Sequence, residues 1–341
     1  MNSTPRISVV MTVYNAGGFL IEAVGSILSQ TFGDFEFVIV DDGSTDGSVE
    51  VLTDFSGRDQ RIRLFCNPSN FGQTACLNQG LREARADWVA RQDADDVSLP
   101  GRLERQWACV SEKCDTVLVG VNGWIMNEFS SVTGMIHVPV DDAAIRASMV
   151  FRNPFIHTGV LFRRVDPRGA VVQYDERYRI CQDWELWSRL LDDGKVMNLP
   201  ERLVGYRHHQ ASLSHASGEK TREESERVVS AIWDKSEAGR PIEKRLLESF
   251  REGLRVADRG DFWRFYGRNR PAAGEAVHRV QAAGALVGQD VMAAAGELFA
   301  AWRLAPGWTS DVLVRSAAIR LGLVGTLKTG SFDRGGRSSA G

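Results

Sequence analysis

The sequence is poor in cysteine. Its 341 residues include five, an odd number with no histidine placed near them at the spacing of a zinc site: Cys66, Cys76, Cys109, Cys114 and Cys181. A disulfide framework is therefore not expected. We predict free thiols or small core side chains in a protein of a reducing compartment.

Long apolar runs are also missing. The richest stretch, residues 282–302, is interrupted by Gln289, Asp290 and Glu297, whereas a membrane-spanning helix needs about 18 or more apolar residues in succession. Residues 1–6, which precede the first predicted strand, are too few and too polar for a signal peptide. We expect a cytoplasmic protein without a spanning helix.

A strong net charge is absent as well. The formal charge is -3 and the isoelectric point about 6.1, so the chain as a whole does not attract nucleic acid or an anionic bilayer. Nucleic-acid binding is therefore not expected. The length is sufficient for one large core and a smaller unit.

The first hundred residues alternate apolar, β-branched runs with amphipathic segments. Strands are predicted at residues 7–13, 35–40, 61–65 and 88–91, and a helix follows each of the first three. Strands and helices in this order imply right-handed crossovers and a mostly parallel sheet flanked by helices. The fold class is therefore α/β.

The rest of the chain divides into parts of different composition. Two more strands are predicted at 117–121 and 159–162, and a helix rich in aromatic residues at 183–191. After about residue 214 the strand signals vanish and three helices are predicted, at 219–236, 243–257 and 289–302. We therefore predict an α/β domain over residues 1–215, a helical C-terminal region over 216–329 and a disordered tail over 330–341.

Two acidic clusters follow predicted strands. Asp41 and Asp42 come after the second strand, and Asp93, Asp95 and Asp96 after the fourth. Ligands of such sheets bind beyond the carboxyl ends of the strands, which places both clusters on one rim. Gathered carboxylates repel one another unless a cation is present, and Mg²⁺ or Mn²⁺ bridging to phosphates suits them. Solvated, helix-capping turns are the structural alternative.

Several motifs, in order, resemble glycosyltransferase family 2. They are Ser8-Val9-Val10-Met11-Thr12-Val13-Tyr14-Asn15, Ser26-Ile27-Leu28-Ser29-Gln30-Thr31-Phe32, Asp41-Asp42-Gly43-Ser44-Thr45-Asp46, Asn70-Phe71-Gly72, Asp93-Ala94-Asp95-Asp96, Pro100-Gly101-Arg102-Leu103, Gln182-Asp183-Trp184-Glu185-Leu186-Trp187 and Tyr206-Arg207-His208-His209. The resemblance covers roughly residues 6–214. It implies the GT-A fold, the Rossmann-like architecture of nucleotide-diphospho-sugar transferases, in an enzyme that transfers a glycosyl group from a nucleotide-diphosphate sugar.

The resemblance assigns the nucleotide site. Thr12, Tyr14 and Asp42 match positions that hold the base, Tyr14 by stacking and Asp42 by accepting a ring N–H. An aromatic face with an acceptor suits uracil or thymine, so a UDP- or dTDP-sugar is expected. Asp41 belongs to the same donor-binding set, with orientation of the loop as its alternative role. Packing at a strand end is the alternative for Tyr14.

The resemblance also assigns the metal site. Asp93 matches the residue near the ribose and the metal, Asp95 matches the direct ligand of Mn²⁺ or Mg²⁺, and Asp96 is a lesser candidate that could instead cap the helix near Pro100. His209 could bind the metal or the leaving diphosphate.

The neighbours of His209 leave two further roles open. His208 is an alternative to His209 as the ligand. Arg207 could contact phosphate through a bidentate interaction, or form a surface ion pair. His157 could line the acceptor pocket, although a role in the core is favoured.

Asp183 matches the general base of the inverting reaction. It would remove the proton of the acceptor hydroxyl as that oxygen attacks C1 opposite the diphosphate. Trp184 and Trp187 could exclude water and stack on sugar, and desolvation would raise the pKa of Asp183. The usual motif has Glu before this Asp, whereas this chain has Gln182. A helix N-cap is the alternative for Asp183.

The acceptor is expected to be a saccharide or a lipid-linked saccharide of a surface polysaccharide. Residues 303–341 carry six basic residues and two acidic ones beside apolar residues, so these C-terminal helices could touch an anionic membrane or pack on protein. A sugar-nucleotide nucleotidyltransferase is disfavoured, because residues 14–18 lack a basic residue. A non-catalytic sugar-nucleotide-binding protein is the other alternative.

Overall fold

The computed structural model describes residues 4–112, 115–149, 152–209 and 218–235. Cys114, the helices expected at 243–257 and 289–302, the basic segment 303–341 with its tail, and the boundary at 215 and 216 lie outside these residues. Cys66, Cys76, Cys109 and Cys181 are free thiols, as predicted. None of the helices in the described ranges is long and apolar enough to span a membrane.

The first half of the chain has the predicted alternation. Its elements are β1 (Ile7–Val13), α1 (Leu20–Leu28), β2 (Phe35–Asp41), α2 (Ser48–Arg58), β3 (Ile62–Cys66), α3 (Gln73–Glu83) and β4 (Trp88–Asp93). Every residue of β1 and β2 is buried, as expected of strands covered on both faces.

The second half contains more strands than its sequence indicated. It comprises β5 (Val97–Ser98), α4 (Arg102–Glu112), β6 (Thr116–Met126), β7 (Val132–Ile136), α5 (Asp142–Met149), β8 (Leu161–Arg163), α6 (Gln182–Leu190), β9 (Lys195–Arg207) and α7 (Gly218–Lys235). The strand β9 was missed because Pro200, Glu201 and Arg202 interrupt its apolar residues.

The nine strands of the described residues form one mixed sheet. The order is β3-β2-β1-β4-β8-β6-β9-β5, and β7 pairs with β6 at one side. The pairs within β3, β2, β1 and β4 are parallel, as is β6 with β9, while β8 runs antiparallel to both of its neighbours. The sheet order reverses direction between β1 and β4, which is where ligands of open α/β sheets bind.

A continuous apolar core lies beneath the position between β1 and β4 where the sheet order reverses. Val9, Met11, Phe37, Ile39 and Leu161 are among its fully buried side chains. Burying the apolar face of α1 against the sheet fixes the helix, because Leu20, Ala23, Val24 and Ile27 recur at helical spacing and are all inaccessible to solvent. The rigid sheet therefore supports the loops at the carboxyl ends of β1, β2 and β4.

The helix α7 packs on the same compact unit as the sheet. That unit extends to Lys235, and Val228 and Val229 of α7 are buried. The sequence-based division assigned residues 218–235 to the C-terminal helical region, and the division itself stays a prediction.

Candidate active site

Both acidic clusters lie on the predicted rim. In the register of the parallel strands Val13 is opposite Asp41, and Thr12 is opposite Asp93. The loops after β2 and β4 therefore flank the end of β1 on its two sides.

Asp41 holds the turn that follows β2. Its side chain is fully buried, and Oδ1 accepts hydrogen bonds from the backbone N–H groups of Gly43 at 3.1 Å and Ser44 at 2.9 Å. Gly43 has a φ of +75°, and a Cβ there would lie 2.8 Å from the backbone of Ser69, so the turn requires glycine. These contacts favour orientation of the loop over direct contact with a nucleotide.

Asp42 is bound to the next loop and borders two exposed aromatic residues. Its Oδ1 accepts from the N–H of Phe71 and its Oδ2 from the N–H of Gly72, each at 2.8 Å. The N–H of Asp42 donates to the carbonyl oxygen of Val13, the residue before Tyr14. Tyr14 is 53% exposed and Phe71 is 59% exposed. The nucleotide-binding residues expected from the sequence therefore adjoin one another, and Tyr14 is open to solvent.

The two carboxylates expected to bind a metal face different partners. Asp95 Oδ2 lies 2.8 Å from Nε2 of His209, while Asp93 Oδ1 lies 2.5 Å from Nη2 of Arg91. Burial and the negative charge of Asp93 raise the pKa of Asp95, against the opposing effect of His209. The structure thus pairs Asp95 with His209, and pairs Asp93 with the guanidinium group of Arg91.

Asp96 joins the acidic loop to β9. Its buried Oδ1 accepts from the backbone N–H of Arg207 at 2.7 Å, and Oδ2 has no partner. Burial, followed by the charges of Asp95 and Asp93, raises the pKa of Asp96 well above its usual range. Asp96 does not cap the helix near Pro100, which was the alternative that its sequence position suggested.

These residues fit a divalent cation that is shared with a substrate. The negative charges of neighbouring carboxylates raise the pKa of Asp95 and of Asp96. A bound cation would offset this repulsion. Carboxylate oxygen and imidazole nitrogen are ligands for Mn²⁺, and Mg²⁺ often takes one or two carboxylates with substrate phosphates and water. The described residues contain no set of three or more acidic, histidine or cysteine side chains arranged to enclose a metal. Asp95 and His209 would therefore supply the protein ligands, and phosphate oxygens and water the others.

Arg207 is buried rather than presented to a phosphate. Its Nε donates to the carbonyl oxygen of Asp95 and its Nη2 to Glu22 Oε2, each at 2.7 Å, and its Nη1 donates to Ser130 Oγ at 2.9 Å. The guanidinium also lies 4.7 Å from the ring centroid of Phe19. These groups occupy the N–H donors of Arg207, so the phosphate contact expected from the sequence is wrong. Arg207 instead holds the loop that carries Asp95. The alternative of a surface ion pair is also wrong, since the side chain is 1% exposed.

The other two candidate histidines, His208 and His157, lie in different environments. His208 is exposed and packs edge-on against Tyr206, with 5.3 Å between ring centroids. His157 Nε2 lies 3.1 Å from the hydroxyl oxygen of Tyr174, and burial, with the charge of Arg91, lowers the pKa of His157 to about 3. The favoured role of His157 in the core is consistent with these contacts.

Asp183 lies in the first turn of α6 and is half-buried. Its Oδ1 accepts the backbone N–H of Trp184 at 2.7 Å, and its Oδ2 accepts an N–H of Asn153 at 2.6 Å. Desolvation, together with the charge of Asp93, raises the pKa of Asp183 to about 7. The carboxyl group is therefore close enough to the acidic rim to sense its charge.

The aromatic residues beside Asp183 do not face a ligand. Trp184 is 6% exposed and its Nε1 donates to the carbonyl oxygen of Met149, while Trp187 is fully buried. Stacking of either ring on a sugar, expected from the sequence, is therefore wrong; both rings exclude water from beneath α6. Gln182 is buried and donates to Gln73 Oε1 at 3.1 Å.

Arg91 is a site residue that the sequence-based reasoning missed. It is 1% exposed, and beyond its bond to Asp93 its Nη2 lies 3.5 Å from Thr12 Oγ1, while Nε and Nη1 have no partner. Side chains two apart on a strand share a face, so Arg91 and Asp93 could have been paired from the sequence. The arginine places a buried positive charge beside the acidic rim.

The fold belongs to the GT-A class of structures. TarS 1-349 of S. aureus, solved in complex with UDP-GlcNAc, superposes with a TM-score of 0.59 at 15% identity, covering 93% of this chain and 92% of that chain. The mannosyltransferase PcManGT of Pyrobaculum calidifontis, in complex with GDP-Man and Mn²⁺, gives 0.54 at 15% identity, covering 95% and 87%. At these identities the likeness establishes the fold.

The sequences of relatives identify the family. The model described as glycosyl transferase family 2 matches residues 8–164. The putative glycosyltransferase EpsE of Bacillus subtilis is 34% identical over 64% of this chain and 78% of its own length. The O-antigen biosynthesis glycosyltransferase WbnJ of Escherichia coli is 29% identical over 62% and 83%. The chain belongs to glycosyltransferase family 2 and is a glycosyltransferase.

Proposed function

We propose that the protein is an inverting glycosyltransferase that moves a sugar from a UDP- or dTDP-sugar to an acceptor hydroxyl. The observation that carries this proposal is the setting of Asp183. Its carboxyl group is half-buried, has a pKa raised to about 7 and is influenced by the charge of Asp93. A general base is most effective when its pKa lies near the working pH.

The proposed reaction uses Asp183 as the base. The ionised Asp183 accepts the proton of the acceptor hydroxyl while that oxygen forms a bond to C1 of the donor sugar. The bond from C1 to the diphosphate oxygen breaks on the opposite face, its electron pair leaves with the nucleoside diphosphate, and the anomeric configuration inverts. A divalent cation held by Asp95 and His209 would offset the charge of the leaving diphosphate.

The hydrogen bonds of Asp42 support a pyrimidine donor. Uracil or thymine presents one ring N–H, whereas guanine presents both N1–H and an amino group. Oδ1 of Asp42 already accepts the N–H of Phe71 and a side-chain N–H of Asn67, and Oδ2 accepts the N–H of Gly72, which leaves room for one further donor more readily than for two. Tyr14 supplies an exposed face for stacking. Structural neighbours were solved with UDP-GlcNAc and with GDP-Man, so a test must include both bases.

The relatives support an acceptor in surface polysaccharide synthesis. WbnJ is named for O-antigen biosynthesis, and TuaG of Bacillus subtilis, 29% identical over 62% of this chain, is named as a putative enzyme of teichuronic acid biosynthesis. We therefore propose a saccharide or lipid-linked saccharide as the acceptor.

The test compares Asp183→Asn with Asp193→Asn. Asp193 is an exposed acid just beyond the other end of α6. Calorimetry with UDP-, dTDP- and GDP-sugars, each with Mn²⁺ or Mg²⁺, identifies the donor, and transfer is then measured with it. We expect Asp183→Asn to bind the donor normally and to lose about 10²- to 10⁴-fold in transfer, while Asp193→Asn retains both.

Two results would contradict the proposal. Absence of any binding heat across the whole panel would exclude a sugar-nucleotide donor site. Retention of transfer by Asp183→Asn would remove Asp183 from the role of base.

A further inference from the structure

A single carboxylate from α7 holds the three residues that precede α6. Glu224 accepts hydrogen bonds from the backbone N–H groups of Arg179 at 3.0 Å, Ile180 at 2.8 Å and Cys181 at 3.0 Å. Glu224 itself is 2% exposed. Three successive N–H groups converging on one anion form a concave site in which each bond is charge-assisted.

Other contacts place α7 against the same short segment. The thiol of Cys181 lies 3.4 Å from Ser225 Oγ, and the guanidinium of Arg227 lies 4.6 Å from the ring centroid of Tyr178. On the far side of the segment, the carbonyl oxygen of Tyr178 accepts a hydrogen bond from Thr74 of α3. The residues before α6 are therefore fixed between α3 and α7.

Within the part of the chain that the structure describes, Glu224 is the side chain that accepts hydrogen bonds from these amides. Cys181 is the residue at the N-cap position, and its own side chain makes no capping hydrogen bond. Backbone N–H groups buried without a partner destabilise the conformation that buries them. Glu224 is thus the group that satisfies this stretch of backbone, two residues before Asp183.

We propose that Glu224 is a positioning residue for the catalytic base: it fixes the chain before α6 so that the Asp183 carboxylate is held at the acceptor hydroxyl. The proposal rests on the proposed function of Asp183. It also makes α7 a part of the catalytic apparatus rather than an appendage. Displacement of a reacting group by about 1 Å can cost on the order of 100-fold in rate.

The experiment uses the full chain and three variants: Glu224→Ala, the conservative Glu224→Gln, and Glu223→Ala as the matched control, since Glu223 is an exposed acid on the same helix. Donor affinity is measured by calorimetry with UDP and Mn²⁺, and kcat and KM by the transfer assay. We expect Glu224→Ala to retain the donor Kd within about twofold and to lose on the order of 100-fold in kcat. Glu224→Gln should recover part of the loss, and Glu223→Ala should match the wild type.

A double variant separates positioning from general stability. If Glu224 acts through Asp183, adding Glu224→Ala to Asp183→Asn should cause no further loss of rate, because the effects of coupled residues are not additive. A further loss equal to that of Glu224→Ala alone would overturn the proposal. A wild-type kcat in Glu224→Ala, together with an inactive Asp183→Asn, would also overturn the proposal. That result would leave the proposed function intact. Activity in Asp183→Asn would instead contradict the proposed function.

Hydrogen exchange keeps the proposal testable even where a variant folds poorly. The amides of residues 180 and 181 should exchange slowly in the wild type and faster in Glu224→Gln. Exchange in the wild type as fast as that of an exposed loop would contradict the anchoring role.

Discussion

The environment of Asp183 gives a direct expectation for pH dependence. Burial, and then the charge of Asp93, raises the pKa of this carboxyl group from its usual value to about 7. Only the ionised form can accept the proton of an acceptor hydroxyl. If Asp183 is the base, its raised pKa limits activity on the acid side.

We expect kcat/KM to fall about tenfold for each pH unit below 7 and to level off above it. The same raised pKa has a consequence for stability. Because the folded state holds the proton more tightly than the unfolded state, the contribution of Asp183 becomes unfavourable as pH rises from about 4 to about 7. Rates measured between pH 5 and 9 at saturating metal test the expected fall in kcat/KM. A profile that remains flat down to pH 5 would show that this carboxyl group is not the base.

Single residues also show where sequence reasoning was wrong. Arg207 and Trp187 have chemistry that suits phosphate and sugar, and both are buried with protein partners. A one-dimensional pattern identifies the functional group but not the direction in which its side chain points. Glu22, which receives the Arg207 guanidinium at 2.7 Å, is 185 residues away in sequence and had no local signal.

At the scale of elements, the loop after β4 is held by a buried polar network. Arg102 of α4 donates to Gln92, Ser98 and Gln106, and to the carbonyl oxygens of Arg91 and Val160. Gln92 in turn donates to the carbonyl oxygens of Asp93 and Asp96. Burial lowers the pKa of Arg102, which has no carboxylate among these partners. The network explains how a short acidic loop keeps one geometry.

Removing the centre of this network should destabilise the domain. Arg102→Met leaves several buried acceptors without a donor, a loss of roughly 3 kcal/mol or more, or about 6–12 °C in the melting temperature of a domain of this size. Arg105→Met is the control, because Arg105 is an exposed arginine on the same helix that pairs with Glu201. Its loss should change the melting temperature by less than about 3 °C. Equal shifts in the two variants, measured by thermal unfolding, would contradict the structural role of the network.

The elements differ in how well the sequence predicted them. The first four strands were predicted within two residues of their observed bounds because they are short segments rich in apolar residues. The strands β5 and β9 were not, because each pairs only with parts of the chain distant in sequence. The strand β7 was not predicted either, although it forms a local hairpin with β6. β9 bonds to β6 over most of its length despite its polar residues. That pairing places Arg207 and His209 beside the acidic loop.

At the scale of the whole molecule, the basic segment 303–341 leads to a prediction about membranes. If this segment contacts an anionic membrane rather than packing on protein, the protein should bind phosphatidylglycerol-containing vesicles weakly, with an affinity that falls as salt is raised, because exposed charges are screened. Arg315→Glu with Arg320→Glu should abolish this binding. The control with the same change in net charge is Arg58→Glu with Arg105→Glu, two exposed positions in the described unit. Vesicle sedimentation that is unchanged in the first pair would contradict the prediction.

The sequence by itself determined the family, the parallel half of the sheet and the placement of the acidic residues on one rim. These follow from local patterns, since an apolar run followed by a polar turn defines a strand and the end at which its ligand binds. Tertiary structure alone decided that Arg207 is enclosed and that Glu224 anchors the chain before Asp183. Those contacts join residues through burial and three-dimensional proximity, and neither property is encoded in spacing along the chain.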